Sequence, residues 1–334
     1  MKRVWIITLL CFLGITGCAQ SKKTERMDMV FYEYFDTIIE VTCFGDPEER
    51  DSLEAELKEE IEKYNHLLNG FDSHGVVAQI NAKREGHNKE LEELISRTLE
   101  NEEKTGRITD ISRGELFSLW REALDRQELP SEEAIHHALQ SGGQIRLDDG
   151  IYLQDRVLLD VGSICKGYLN DRLVPFLQSK GMENFIINSG GNVTVHGTHP
   201  QKNRKFSVGI QNPFDPNGVA DTLYVENASV VTSGDYERFA EIDGRLYHHI
   251  IDLFTGYPAT NGKRSVTIVG PEAYLCDFLS TVIFLTEDDS IDQVMEQYPD
   301  YMYYIVYENK SVLHSDELKE VLKSYGATGQ ESLE

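Results

Sequence analysis

Cysteine is scarce. Of the five cysteines in 334 residues, only Cys43, Cys165 and Cys276 follow Cys18. An odd number without Cys-x-x-Cys spacing excludes a disulfide framework and a cysteine zinc site, and leaves Cys165 and Cys276 as small packing residues. Positive charge is also in deficit: 32 Lys and Arg stand against 57 Asp and Glu, for a net charge of −25. So acidic a surface excludes nucleic acid and anionic membrane as broad electrostatic partners. It still allows one local electropositive site that holds a phosphate. Repeats and long linkers are absent. The apolar run at residues 4–15 is too short to span a bilayer as a stable helix.

That run does have a reading. Basic Lys2 and Arg3 precede it, and Ile15-Thr16-Gly17-Cys18 follows. The pattern is a secretory signal and resembles a bacterial lipobox, in which the cysteine becomes the lipidated first residue. Residues 1–17 are then a signal peptide and 18–27 a lipidated tether. Residues 28–314 form the one folded domain expected, and 315–334 a polar tail. Three acyl chains on Cys18 anchor far better than one. The expected location is the outer, extracytoplasmic side of a bacterial cell membrane.

Periodicity divides the domain unevenly. Residues 29–43 alternate as a first strand, with Phe35-Asp36-Thr37 as a possible interruption. Helical spacing covers 46–68, 91–103 and the end of 108–120, and Ser131 caps a helix over 131–139. Residues 144–159 read as a hairpin turning at Asp148-Asp149-Gly150. Strands dominate later, at 185–188, 193–195, 206–211, 222–225, 229–232, 247–252, 265–269 and 301–307. Helices interrupt them at 271–284 and 291–297. Helices early and strands late indicate an α+β fold rather than an alternating α/β one.

The densest stretch runs from Val157 to Arg172. Three apolar residues end at Asp160, Gly162-Ser163 form a turn, and helical spacing begins at Ile164. A strand feeding a glycine turn and a helix aims backbone N–H groups and the positive helix end at an anion such as phosphate. Asp160 and Lys166 could reach the same ligand; an ordinary strand–helix junction with a surface lysine reads the same way. In the helix after Pro271, Asp277 and Thr281 share a face, with Ser280 adjacent. Carboxylate and hydroxyl oxygens together suit Mg²⁺, or the helix carries one satisfied acid. His248-His249-Ile250-Ile251-Asp252 puts histidine and acid at the ends of a short strand, where His249 and Ile251 share a face opposite Asp252. Asp252 can instead cap the turn through Thr255 and Gly256. Adjacent histidines lack zinc-ligand spacing. The glycines of Ser189-Gly190-Gly191-Asn192 and Ser233-Gly234-Asp235-Tyr236 allow close backbone approach to a ligand, or simply make turns.

Five separated segments, in order, resemble the FAD:protein FMN transferase (ApbE) family. They are Leu159-Asp160-Val161-Gly162-Ser163-Ile164-Cys165-Lys166-Gly167-Tyr168, Asn188-Ser189-Gly190-Gly191-Asn192-Val193, and Thr232-Ser233-Gly234-Asp235-Tyr236-Glu237-Arg238. His249-Ile250-Ile251-Asp252-Leu253-Phe254-Thr255-Gly256-Tyr257-Pro258 and Asp277-Phe278-Leu279-Ser280-Thr281 complete the set. The resemblance implies a single α+β domain related to the T-fold, and transfer of FMN from FAD to a threonine hydroxyl of a target protein with release of AMP. It implies Mg²⁺ on the side chains of Asp277 and Thr281, with backbone oxygens of Ser163 and Ser280. FAD is the substrate, contacted by Asp160, Lys166, Asp110, His249, Ile251, Asp252 and Thr255. The implied partner is a flavin-acceptor protein, a membrane electron-transfer subunit or an extracytoplasmic flavoprotein. Asp277 or His249 would take the hydroxyl proton, and Lys166 would offset negative charge. Two alternatives use the same residues: a Mg²⁺-dependent FAD pyrophosphatase giving FMN and AMP, and a non-enzymatic flavin-binding lipoprotein. The loop Gly70-Phe71-Asp72-Ser73-His74-Gly75 and Thr109, beside Asp110, depart from the family pattern. The end of the chain, Ser324-Tyr325-Gly326-Ala327-Thr328, resembles a flavin-acceptor site but has Leu322 where an acid is usual.

Overall fold

A computed structural model describes residues 24–327. The signal peptide, Cys18 and Thr328 therefore lie outside the described residues. The chain opens with β1 (Glu25–Tyr34) and β2 (Thr37–Gly45), then α1 (Arg50–Leu68), α2 (Val76–Lys83), β3 (Glu85–Gly86), α3 (Lys89–Lys104), α4 (Gly114–Arg126) and α5 (Glu132–Leu139). Next come β4 (Ile145–Leu147), β5 (Ile151–Leu153), α6 (Cys165–Ser179), β6 (Phe185–Ser189), β7 (Asn192–His196), β8 (Phe206–Asn212), β9 (Asp215–Val225) and β10 (Ala228–Gly234). β11 (Phe239–Ile242), β12 (Arg245–His248), β13 (Lys263–Gly270), α7 (Ala273–Leu285), α8 (Ile291–Met295), β14 (Met302–Tyr307) and β15 (Val312–His314) complete it. This is the expected α+β fold.

Eight strands form one sheet in the order β1-β2-β6-β7-β10-β13-β14-β15, and every neighbouring pair is antiparallel. Side-chain alternation gives the sheet two apolar faces. Ile268 and Ile305 join the larger core with residues of α1, α6 and α7. Their neighbours Val269 and Val306 join a second core under the β8–β9 hairpin. α7 is apolar almost all round: Tyr274, Phe278, Val282 and Phe284 are essentially inaccessible, as befits a helix sunk between sheet and neighbours. Each such side chain contributes roughly 1.5–3 kcal/mol of gross burial, so α7 is a rigid platform.

Several sequence expectations are corrected. The strand expected over 29–43 is a hairpin of two, because Phe35 and Asp36 adopt left-handed φ values of 52° and 54° and reverse the chain. Pairing begins at Glu25, and Met27 is buried, so the domain starts inside the expected tether. At the other end Leu318 and Leu322 are buried in the second core, and Leu322 bridges to Leu223. The polar tail is therefore part of the domain to that point. Val157–Leu159 is not a ladder strand. It is an extended segment with one parallel bridge, Leu158 to Arg113. The strand expected over 247–252 ends at His248, where the chain turns.

Candidate active site

Asp160 is set by three supports. Its N–H donates to the Ile111 carbonyl at 2.8 Å. Asn81 of α2 clasps the preceding residue on both sides, accepting from Leu159 N–H at 2.7 Å and donating to Leu159 O at 2.8 Å. The Asp160 carboxylate then accepts the Gly162 N–H at 2.7 Å and closes the turn. α6 starts three residues later with Cys165 and Lys166 in its first turn. The anion-facing helix start expected from the sequence is therefore present, although an irregular segment rather than a strand feeds it.

α6 and α7 cross at Gly167. A Cβ there would lie 2.3 Å from the Ala273 carbonyl, so only glycine permits the approach. Across the contact, Asp277 Oδ2 accepts the Gly167 N–H at 2.8 Å. Asp171 of α6 accepts the N–H groups of Ala273 and Tyr274, both at 2.8 Å, and so caps α7 from a different helix. Lys166 and Asp277 are thereby fixed near each other. Burial acts to lower the Lys166 pKa, but Asp277 and Glu237 outweigh it and hold the ammonium above its ordinary value. Burial raises the Asp277 carboxyl, opposed by Lys166 and by the Gly167 N–H.

These groups open into one cavity of about 420 Å³. Of the residues put forward from sequence, Asp110, Asp160, Ser163, Lys166, His249, Ile251, Asp277 and Thr281 line it. Ser280 does not. It is fully buried, and its hydroxyl bonds the Asp277 carbonyl at 2.9 Å and Ser233 Oγ at 2.7 Å. Asp252 and Thr255, expected to contact FAD, are not among the residues that line the cavity. Asp252 accepts Phe254 N–H at 2.8 Å and Thr255 Oγ1 at 3.0 Å, the turn-capping alternative. They act at one remove: the Gly256 carbonyl in that turn accepts Trp120 Nε1–H at 2.6 Å, and Trp120 lines the cavity.

His249 presents its Nδ1 to the Arg238 carbonyl at 3.3 Å. A carbonyl only accepts, so Nδ1 carries the proton and Nε2 is left with its lone pair. Burial, reinforced by Lys166 and Arg238, pushes the pKa down to about 3, so the ring is neutral at physiological pH. His248 is structural, donating to the Ala259 carbonyl at 2.9 Å. Behind Asp110, the buried Glu102 accepts Ile111 N–H at 2.7 Å. Burial and the Asp110 charge raise its carboxyl to about 8.

Sequence reasoning missed other lining residues. Glu237 faces the open volume although protein flanks it closely; burial raises it to about 7, with Lys166 pulling the other way. Asp36, Phe71, Arg121 and Arg238 form one rim. Glu237 and Arg238 lay within a quoted motif, but nothing in their spacing pointed inward. Among the described residues no cluster of three His, Cys, Asp or Glu could hold a metal. The oxygens that line the cavity include the Asp277 carboxylate and the Thr281 hydroxyl, four residues apart on α7, and the chain at Ser163. That set fits Mg²⁺, a hard ion that keeps open positions for water and substrate phosphate, and does not fit zinc.

Known proteins resemble this chain over most of its length. An FAD:protein FMN transferase of Treponema pallidum (strain Nichols) is 28% identical over 326 residues, covering 88% of this chain and 87% of that protein. One from Klebsiella pneumoniae (strain 342) is 29% identical over 245 residues, 70% of this chain and 75% of that protein. Among solved structures, the ApbE protein of Thermotoga maritima superposes with a TM-score of 0.80 at 26% identity, over 92% of this chain and all of that one. The flavin transferase ApbE of Vibrio cholerae, at 20% identity, shares the fold with a TM-score of 0.78, over 89% of this chain and 99% of that one. The ApbE family model matches residues 35–305, which span every cavity-lining group described above, and the chain belongs to that family.

Proposed function

We propose that this protein transfers FMN from FAD to a threonine hydroxyl of a target protein, forming a phosphoester and releasing AMP. The observation that carries the reading is the convergence of Asp160, Lys166, His249, Asp277 and Thr281 on one cavity at the start of α6. Asp277, Thr281 and the Ser163 backbone would hold Mg²⁺, which when bound supplies charge neutralisation for a diphosphate. The chain's own groups do the rest. The positive end of the α6 dipole and the Lys166 ammonium face developing negative charge. His249, neutral and with Nε2 free, accepts the hydroxyl proton as the oxygen attacks the FMN phosphorus. The bond from that phosphorus to the AMP oxygen breaks, and AMP leaves as the monoester. Asp277 is instead committed to the Gly167 N–H and to the proposed metal, although burial raises its carboxyl above the ordinary value.

The reading extends to location. The lipobox at Cys18 would tether the domain to the outer side of the cell membrane, where the acceptor is an electron-transfer subunit or another extracytoplasmic flavoprotein. The test is intact-mass analysis of an acceptor domain after incubation with the protein, FAD and Mg²⁺. A gain of one FMN, abolished by EDTA, supports the reading. Free FMN and AMP beside an unmodified acceptor would replace it with a pyrophosphatase. Bound FAD without turnover would leave a binding protein.

A further inference from the structure

Two guanidinium groups converge on one carboxylate at the rim of the cavity. Arg121 comes from α4 and Arg238 from the segment after β10; Asp36 comes from the β1–β2 turn. Asp36 Oδ2 accepts from Arg121 Nη2 and, at 3.2 Å, from Arg238 Nη2. The Arg121 guanidinium lies over the Phe71 ring, 3.7 Å from its centroid, which fixes its plane. All four residues line the cavity that holds Lys166 and Asp277.

We infer that Arg121 and Arg238 are a binding pair for the diphosphate of the substrate, and that Asp36 is an internal occupant holding their place until it arrives. The inference rests on the function proposed above. Paired guanidinium forks match phosphate oxygens in plane and in charge. Asp36 is a weak holder: its side chain is 49% exposed, and partly exposed ion pairs contribute little to stability. A diphosphate offers more oxygens and more charge than one carboxylate, so it displaces Asp36. Asp36 also sits at φ 54°, a conformation uncommon for non-glycine residues and concentrated at functional positions. Arg238 links this exchange to the chemistry, since its own carbonyl orients His249.

A structural bridge and a placeholder differ in sign. If Asp36 is a bridge, removing its charge loosens the rim and weakens binding; if it is a placeholder, removal frees the arginines and tightens binding. The experiment measures the Kd of the full chain in detergent for FAD, ADP and riboflavin. Asp36→Asn keeps a residue that tolerates left-handed φ. It is expected to tighten FAD and ADP by about three- to tenfold, within the range of one charge-assisted hydrogen bond, and to leave riboflavin, which has no phosphate, unchanged. Arg121→Gln and Arg238→Gln are expected to weaken FAD and ADP by about tenfold each, and Arg121→Gln should reduce the gain from Asp36→Asn. Unchanged or weaker FAD binding in Asp36→Asn, with the unaltered protein binding FAD normally, overturns the inference alone. Failure of the unaltered protein to bind FAD overturns the proposed function with it.

Discussion

His249 Nδ1 lies 3.3 Å from the carbonyl oxygen of Arg238, and that contact sets which ring nitrogen is free. His249→Ala is predicted to lower kcat for flavin transfer by ~10²–10⁴ while KM for FAD changes by less than about threefold. Steady-state kinetics with an acceptor domain check the split. The same residue carries a pH signature in stability. Its folded pKa, about 3, lies below the ordinary 6.5, so the unfolded chain binds the extra proton first as pH falls. The destabilisation from this residue grows as pH drops from 6.5 toward 3, and the apo His249→Gln variant should lack that component in a Tm-against-pH series.

Asp277→Asn removes the one carboxylate at the proposed metal corner. Turnover is predicted to fall by at least ~10²-fold, with the Mg²⁺ concentration for half-maximal rate raised at least about tenfold. Magnesium titration of both proteins tests this. An unchanged magnesium requirement would remove Asp277 from the metal site.

Gly167→Ala should fail structurally rather than chemically. Its Cβ would meet the Ala273 carbonyl and the Asp277 Cβ, at 2.3 and 2.7 Å, forcing α6 from α7 at a cost of about 1–3 kcal/mol. Thermal unfolding reports the loss, and weaker FAD binding should accompany it.

Glu102→Gln isolates a buried acid. The folded carboxyl titrates near 8 against an ordinary 4.5, so its contribution to stability is full below 4.5 and is lost as pH rises toward 8. The amide keeps an acceptor for the Ile111 N–H. The variant's Tm should therefore gain on the unaltered protein between pH 5 and 8, and calorimetry across that range decides it.

Cys18→Ser should release the protein from the membrane fraction, because the proposed anchor loses its acylated residue. Fractionation followed by blotting gives the answer. Retention of the variant in the membrane would reject Cys18 as the anchor.

Much of the catalytic half of the site was legible because it is local. Asp160 to Lys166 and Asp277 to Thr281 are short segments whose spacing fixes what they face, and both reach the cavity. The rim was illegible because it is assembled from distant turns: nothing in Asp36 or Arg121 alone says that they meet across 85 positions. Asp252 and Thr255 illustrate the opposite case, where a motif residue serves its own turn. The strand expected over 157–159 failed because an apolar run can be extended and buried without a ladder. Here Asn81 and the 111–114 segment take its backbone groups. Leu318 and Leu322 sit in a stretch too polar to announce its two buried leucines.

The cross-capping of α7 by Asp171, together with the Gly167 contact, gives the two catalytic helices a common fate. Amides along both should exchange with solvent only through global unfolding, whereas those of the Asp36 turn and the Phe71 loop exchange through local opening. Change is then cheap at the rim and dear at the floor. A lineage can retune which nucleotide or acceptor it admits by altering a few turn residues while the reaction itself is inherited intact.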